Sequence, residues 1–143
     1  MRRLLLIVGE TILAIFLIFV STSCNADPMN SRELAVQQEL RTINTAQANY
    51  HLRFGKYAGT LGQLGPPEVG APGPAAADLI SSSLASGDKD QYRFLMTLTP
   101  AGYTLTATPK VRNNSGRRSF YTDQTMVLRA SVGRVDASSP EVK

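Results

Sequence analysis

Apolar positions run along the chain in three different rhythms. Residues 4–20 are almost continuously apolar, interrupted at Gly9 and Glu10 and unbroken over residues 12–20. Between residues 30 and 54, Val36, Leu40, Ile43, Gln47, Tyr50 and Phe54 recur at steps of three and four. That spacing places them on one stripe of an α-helix. Gln37, Glu39, Arg41 and Asn44 are expected on the other side. Beyond Gly87 the step becomes two. Tyr92, Phe94, Met96 and Leu98 alternate with Arg93, Leu95, Thr97 and Thr99, and Tyr103, Leu105 and Ala107 alternate with Thr104, Thr106 and Thr108. This alternation predicts two strands.

The punctuation between these segments fills in the layout. Asp27-Pro28 and Asn30-Ser31 are helix-start residues, and Asn30 with Glu33 has the spacing of a capping box. Gly55 is a natural helix C-cap. Residues 55–75 are dense in glycine and proline. A short helical turn fits residues 60–64, with Leu61 and Leu64 inward and Pro66-Pro67 as its stop. The leucine and aromatic spacing favours a loop pinned to a core over a free linker. Residues 75–85 predict a second short helix, with Ala76, Leu79, Ile80 and Leu84 on one face. Pro100-Ala101-Gly102 joins the first two strands as a hairpin, and Asn113-Asn114-Ser115-Gly116 is a turn cluster. Residues 119–122 and 126–130 predict two more short strands, separated by a turn at Asp123-Gln124-Thr125. From Val132 onward the chain is polar and expected to fray. The predicted class is α+β. One long N-terminal amphipathic helix packs on a small antiparallel sheet of three or four strands, with a loop and short helices between.

The first apolar run has a different character. Arg2 and Arg3 precede it, and Ser21-Thr22-Ser23-Cys24 follows it. A spanning helix needs about 20 apolar residues, and a signal-peptide core about 7 to 15. The unbroken part, residues 12–20, fits the second description. Small residues directly before a cysteine resemble a bacterial lipobox, which implies cleavage before Cys24 and lipidation of its thiol. Ser21 stands where that signal usually has an aliphatic residue. Cleavage after Ala26, or retention of the whole segment as an anchor, are the other two readings. An anchor would bury Glu10 at a cost of about 2.5–3.5 kcal/mol. The chain thus divides into a leader (1–23), a tether (24–31), a folded domain (32–131) and a polar tail (132–143).

Composition narrows the function. The 143 residues are 43% hydrophobic and 18% charged, which fits one small globular domain after a leader. Removing Arg2, Arg3 and Glu10 from 15 basic and 11 acidic side chains leaves a net charge of +3. That is too mild, and too unclustered beyond Arg117-Arg118, to argue for nucleic acid. Cys24 is the single cysteine, so no internal disulfide can form and a thiolate metal site is not expected. His51 is the single histidine and has no acidic residue within seven positions, so a helix-end role is expected rather than a catalytic one. Ser81 to Ser83 and Ser119 show no histidine–aspartate network, and no glycine-rich phosphate loop follows a strand. Nothing calls for a cofactor, and the chain reads as non-enzymatic.

Several local stretches carry a family resemblance. They are Arg41-Thr42-Ile43-Asn44-Thr45-Ala46-Gln47 followed by Tyr50, then Tyr57-Ala58 with Leu61 and Leu64. Gly102-Tyr103-Thr104-Leu105-Thr106-Ala107 and Arg118-Ser119-Phe120-Tyr121-Thr122-Asp123-Gln124, then Val127-Leu128-Arg129, continue the series. In this order, over roughly residues 33–130, the chain resembles the globular part of type IV pilins and type II secretion pseudopilins. The resemblance implies a helix, a loop and a small antiparallel sheet. It also implies partners among envelope or pilin-like proteins.

The N-terminus departs from the pilin pattern. Glu10 follows Gly9 directly, without the expected phenylalanine, and residues 21–30 would interrupt the pilin helix. Pseudopilins can bind calcium near the sheet, and Asp88 and Asp90 around Lys89 are the metal candidates here. Two carboxylates only begin a cage of six to eight oxygens, so a turn is the simpler reading. The expected protein is a pilin-like module, exported to the bacterial cell envelope and tethered to the membrane through Cys24. A minor pseudopilin that keeps an atypical N-terminal helix, and a small ligand-binding lipoprotein, remain as alternatives.

Overall fold

A computed structural model describes residues 28–111 and 118–142, with side chains from residue 31 onward. The leader, residues 24–27 of the tether with Cys24 among them, and the turn cluster at residues 113–116 lie outside the described residues. Among the described residues, no helix is long and apolar enough to cross a membrane.

The fold is α+β, one helix near the N-terminus followed by a single antiparallel sheet. The helix α1 spans Pro28–Phe54 and ends where Gly55, at φ +71°, donates its N–H to His51 O at 2.8 Å. A left-handed residue there is what glycine supplies without strain. Two single-turn helices follow, α2 (Leu61–Leu64) and α3 (Ser82–Ala85). Thr60 caps α2 through its side chain, and Ser81 caps α3 in the same way. The strands are β1 (Asp88–Lys89), β2 (Tyr92–Thr99), β3 (Gly102–Pro109), β4 (Ser119–Asp123) and β5 (Arg129–Ser131). They form a simple meander, each strand paired antiparallel with the next.

The sheet therefore has five strands where the periodicity predicted three or four. The added strand is β1, two residues too short to show an alternation. It folds onto β2 through a two-residue loop whose residues, Asp90 and Gln91, both have positive φ, +50° and +64°. That is the backbone of a type I′ hairpin turn. The sequence lacks the glycine that usually marks one.

Three other segments differ from expectation. The helix predicted over residues 75–85 forms only at Ser82–Ala85. Upstream of it, the N–H groups of Ala77, Asp78, Leu79 and Ile80 donate to carbonyls of Gln63, Leu64 and Gly65 at 2.7–3.1 Å. The end of α2 thus takes the backbone bonds that a helix would have kept for itself. The last strand starts at Arg129 rather than at residue 126, because Met126 sits at φ +64° and closes the preceding turn. The tail is paired to the sheet over residues 140–142. Ala130 N–H donates to Pro140 O and Val142 N–H to Leu128 O, both at 2.9 Å, so the tail lines the free edge of β5. Val142 packs against the core.

One hydrophobic cluster holds the layers together. Val36, Leu40, Ile43 and Tyr50 of α1 meet Tyr92, Phe94, Leu105, Ala107 and Phe120 of the sheet, while Leu61, Leu64, Ile80 and Leu84 close its side. A fully buried Leu or Ile contributes about 1.5–3 kcal/mol relative to exposure. The loop rich in glycine and proline is pinned, since Tyr50 Oη donates to Pro74 O at 2.6 Å. Gly65 allows the two short helices to touch, because a Cβ there would lie 2.6 Å from Ala85 Cβ.

Candidate functional site

The most organised polar chemistry lies between α1 and the sheet. Asn44, expected on the outer side of the helix, is buried. Its Nδ2 donates to Thr122 Oγ1 at 2.9 Å, and its Oδ1 accepts from Tyr103 Oη at 2.9 Å. Gln37, also expected outside, is buried as well. Both sit beside the apolar stripe at helical spacing, so the buried face is broader than six positions suggest. Gln47 lies fully inside and bonds both ways with the backbone of Ala58. Burial pushes the Tyr103 phenol well above its ordinary range, with Tyr57 and Asp123 adding to the effect. It is therefore a neutral hydrogen-bond donor under all ordinary conditions.

Two ion pairs extend this interface to its margins. Glu33, read from spacing as a capping-box partner, instead turns to the sheet. Its carboxylate accepts from Arg118 N–H at 3.0 Å and from Arg118 Nε at 2.8 Å. The Arg118 guanidinium lies 5.6 Å from the Phe120 ring centre, so this arginine is not simply a solvated face. Lys89 of β1 pairs with Glu39 of α1. These contacts join residues distant in sequence, and spacing alone carries no signal for them.

Among the described candidates, Asp88 and Asp90 share one hairpin, while His51 and Ser81 lie on other elements. Cys24, the lipidation candidate, lies outside the described residues. Asp88 is on β1, with its carboxylate 3.5 Å from Arg93 Nε and 3.3 Å from Lys110 Nζ. Asp90 occupies the adjoining turn and is exposed. Among the described residues, no three His, Cys, Asp or Glu side chains are placed to hold a metal ion. His51 is exposed at the end of α1 and stacks on Tyr57, ring centres 4.6 Å apart. Ser81 caps α3, and its Oγ lies 3.1 Å from Ser83 Oγ.

A further polar group sits near β5. Asp123 Oδ1 accepts from Thr125 N–H at 2.9 Å and Thr125 Oγ1 at 2.5 Å, and its Oδ2 accepts from Tyr121 Oη at 3.2 Å. Partial burial opposes ionisation of Asp123, but Thr125, Tyr121 and Arg129 outweigh it and hold the carboxyl below its usual range. Asp136 repeats the motif with Ser138, which also lowers its pKa. Both are turn-closing Asx arrangements.

An open cleft of about 630 Å³ lies over the loop segment between Thr60, Pro66, Pro67, Glu68, Ala76 and Ser82. Glu68 is the one titratable side chain along it. No nucleophile, base and orienting group converge there in the manner of a hydrolytic site. No family model matches the chain, no curated protein matches it, and no solved structure does.

Proposed function

We propose that this chain is a non-enzymatic cell-envelope protein, a pilin-like structural or interaction module exported and tethered to the membrane. The observation that carries the proposal is the order of parts. An apolar N-terminal run, followed by small residues and Cys24, precedes an α+β domain in which one helix backs an antiparallel sheet. The pilin likeness adds the stretches around residues 41–50, 102–107 and 118–129, which fall on α1, β3 and β4–β5 of that domain. The polar groups of the helix–sheet interface support a structural role, since Asn44, Gln47 and Glu33 all spend their hydrogen bonds within the fold.

In this reading Cys24 becomes the first residue of the mature protein and carries acyl chains. Each buried CH₂ contributes about 0.8 kcal/mol, so more than one chain is needed for stable anchoring. Its partners are the membrane and other envelope or pilin-like proteins. Fractionation of cells expressing Cys24→Ala tests it. Release of the variant into the soluble fraction is the expected result. Unchanged membrane retention would favour the alternative, a minor pseudopilin of a type II secretion or type IV pilus system held by its N-terminal helix.

A further inference from the structure

The two lateral edges of the sheet are treated differently. At the β5 edge the tail residues 140–142 pair with the strand and close it. At the other edge, β1 covers only the start of β2. Asp88 and Lys89 face Arg93 and Tyr92, and Phe94 N–H donates to Gly87 O. Beyond that point β2 runs on for five residues. The N–H and C=O groups of a strand residue point to one side, and successive residues alternate. Phe94 points away from β3, so Met96 and Leu98 also do. Among the described residues, no backbone group pairs with Met96 or Leu98 on that side.

This open stretch lacks the protections usual for an edge. Residues 95–99, Leu-Met-Thr-Leu-Thr, contain no charge and no proline, and β2 and β3 pair residue for residue without a bulge. Leu95 is 62% exposed on the outer face, and Leu98 is 51% exposed on the face towards the helix. An edge with apolar side chains bare on both faces favours an uncharged strand as its partner.

We infer that this edge pairs with the same edge of a second copy, antiparallel about a two-fold axis at Thr97. The axis sets Met96 opposite Leu98 of the other copy, and Leu98 opposite its Met96. Both are residues whose backbone groups face outward, so each pair exchanges two hydrogen bonds and all four open N–H groups find acceptors. The exposed Leu98 side chain comes to lie beside Met96 of the second copy, and Leu95 beside its Thr99. The two Thr97 residues meet directly as a non-hydrogen-bonded pair, with Cα atoms about 4.5 Å apart. This inference stands independently of the lipid at Cys24.

Disulfide trapping tests it in the full-length chain in detergent. In a Cys24→Ala background, Thr97→Cys supplies a single thiol on the axis. Thr104→Cys supplies one directly beside it within the same chain but one strand inward. The separation at Thr97 lies within disulfide reach. Mild oxidation is expected to give a covalent dimer with Thr97→Cys and none with Thr104→Cys. Sedimentation of the unmodified chain is expected to show a dimer that Thr97→Lys returns to monomer, because like charges would face each other. A monomeric unmodified chain, no cross-link at Thr97→Cys, or equal cross-linking at both positions would overturn the inference. Cross-linking in cells only to a different protein would overturn it too, in favour of a foreign strand.

Discussion

The side-chain amide of Gln47 and the backbone of Ala58 exchange two hydrogen bonds of 2.9 Å, one in each direction. A glutamine on the helix thus does for the following loop what a neighbouring strand would do, and it is completely buried. Gln47→Leu keeps the volume but leaves the Ala58 N–H and C=O inside without partners. Each such group costs about 1–3 kcal/mol, so a loss of about 2–6 kcal/mol is expected in chemical denaturation. Gln47→Asn, one methylene shorter, is expected to leave both bonds unmade and to fall in the same range.

Tyr103 and Asn44 form the second link across the layers. Tyr103→Phe leaves Asn44 Oδ1 without its donor and is expected to cost about 1 kcal/mol. The pH dependence has a definite sign. The folded phenol has a raised pKa, so its contribution is fully present below the ordinary tyrosine range. It is lost as pH rises through the folded value. The stability of the parent chain should therefore fall above about pH 10, and Tyr103→Phe should flatten that fall.

The helix stripe and the alternation of β2 and β3 are legible in the sequence because each repeats over several turns or pairs. The polar members of the interface are less so. Asn44 and Gln37 read as outer-face residues because they are polar, although both sit at helical spacing beside Leu40. Glu33 and Arg118 are 85 positions apart, and nothing local announces their pairing. The tail looked free because its residues are polar, yet what holds it is its backbone, which any sequence can offer. The candidate chemistry at Asp88 and Asp90 was legible as a turn, and the structure gives that turn its hairpin geometry.

Strain at that hairpin provides a test of its turn type. Gln91 adopts φ +64°, a region that costs a non-glycine residue about 1 kcal/mol or more. Gln91→Gly relieves it while keeping the backbone bond from Lys110 N–H to residue 91, and is expected to stabilise the domain by about 0.5–1 kcal/mol in thermal unfolding. A loss of stability would mean that the turn does not need positive φ.

Asp123 contributes to the acid limb. Its folded pKa is depressed, so its contribution is present above the ordinary carboxylate range and disappears as pH falls through the lower folded value. Thr125→Val removes the hydroxyl donor and should raise the Asp123 pKa, as followed by its side-chain carbon shift in an NMR titration. No change on that substitution would show that the Thr125 hydroxyl does not hold the carboxylate.

The tether is the centre of the proposed function, and the mass of the N-terminal peptide from membrane-extracted protein addresses it most directly. The account predicts a peptide that begins at Cys24 and carries a diacylglyceryl group on its sulfur. A peptide that begins at Glu10 with the apolar segment intact, or at Asp27 without lipid, would contradict it.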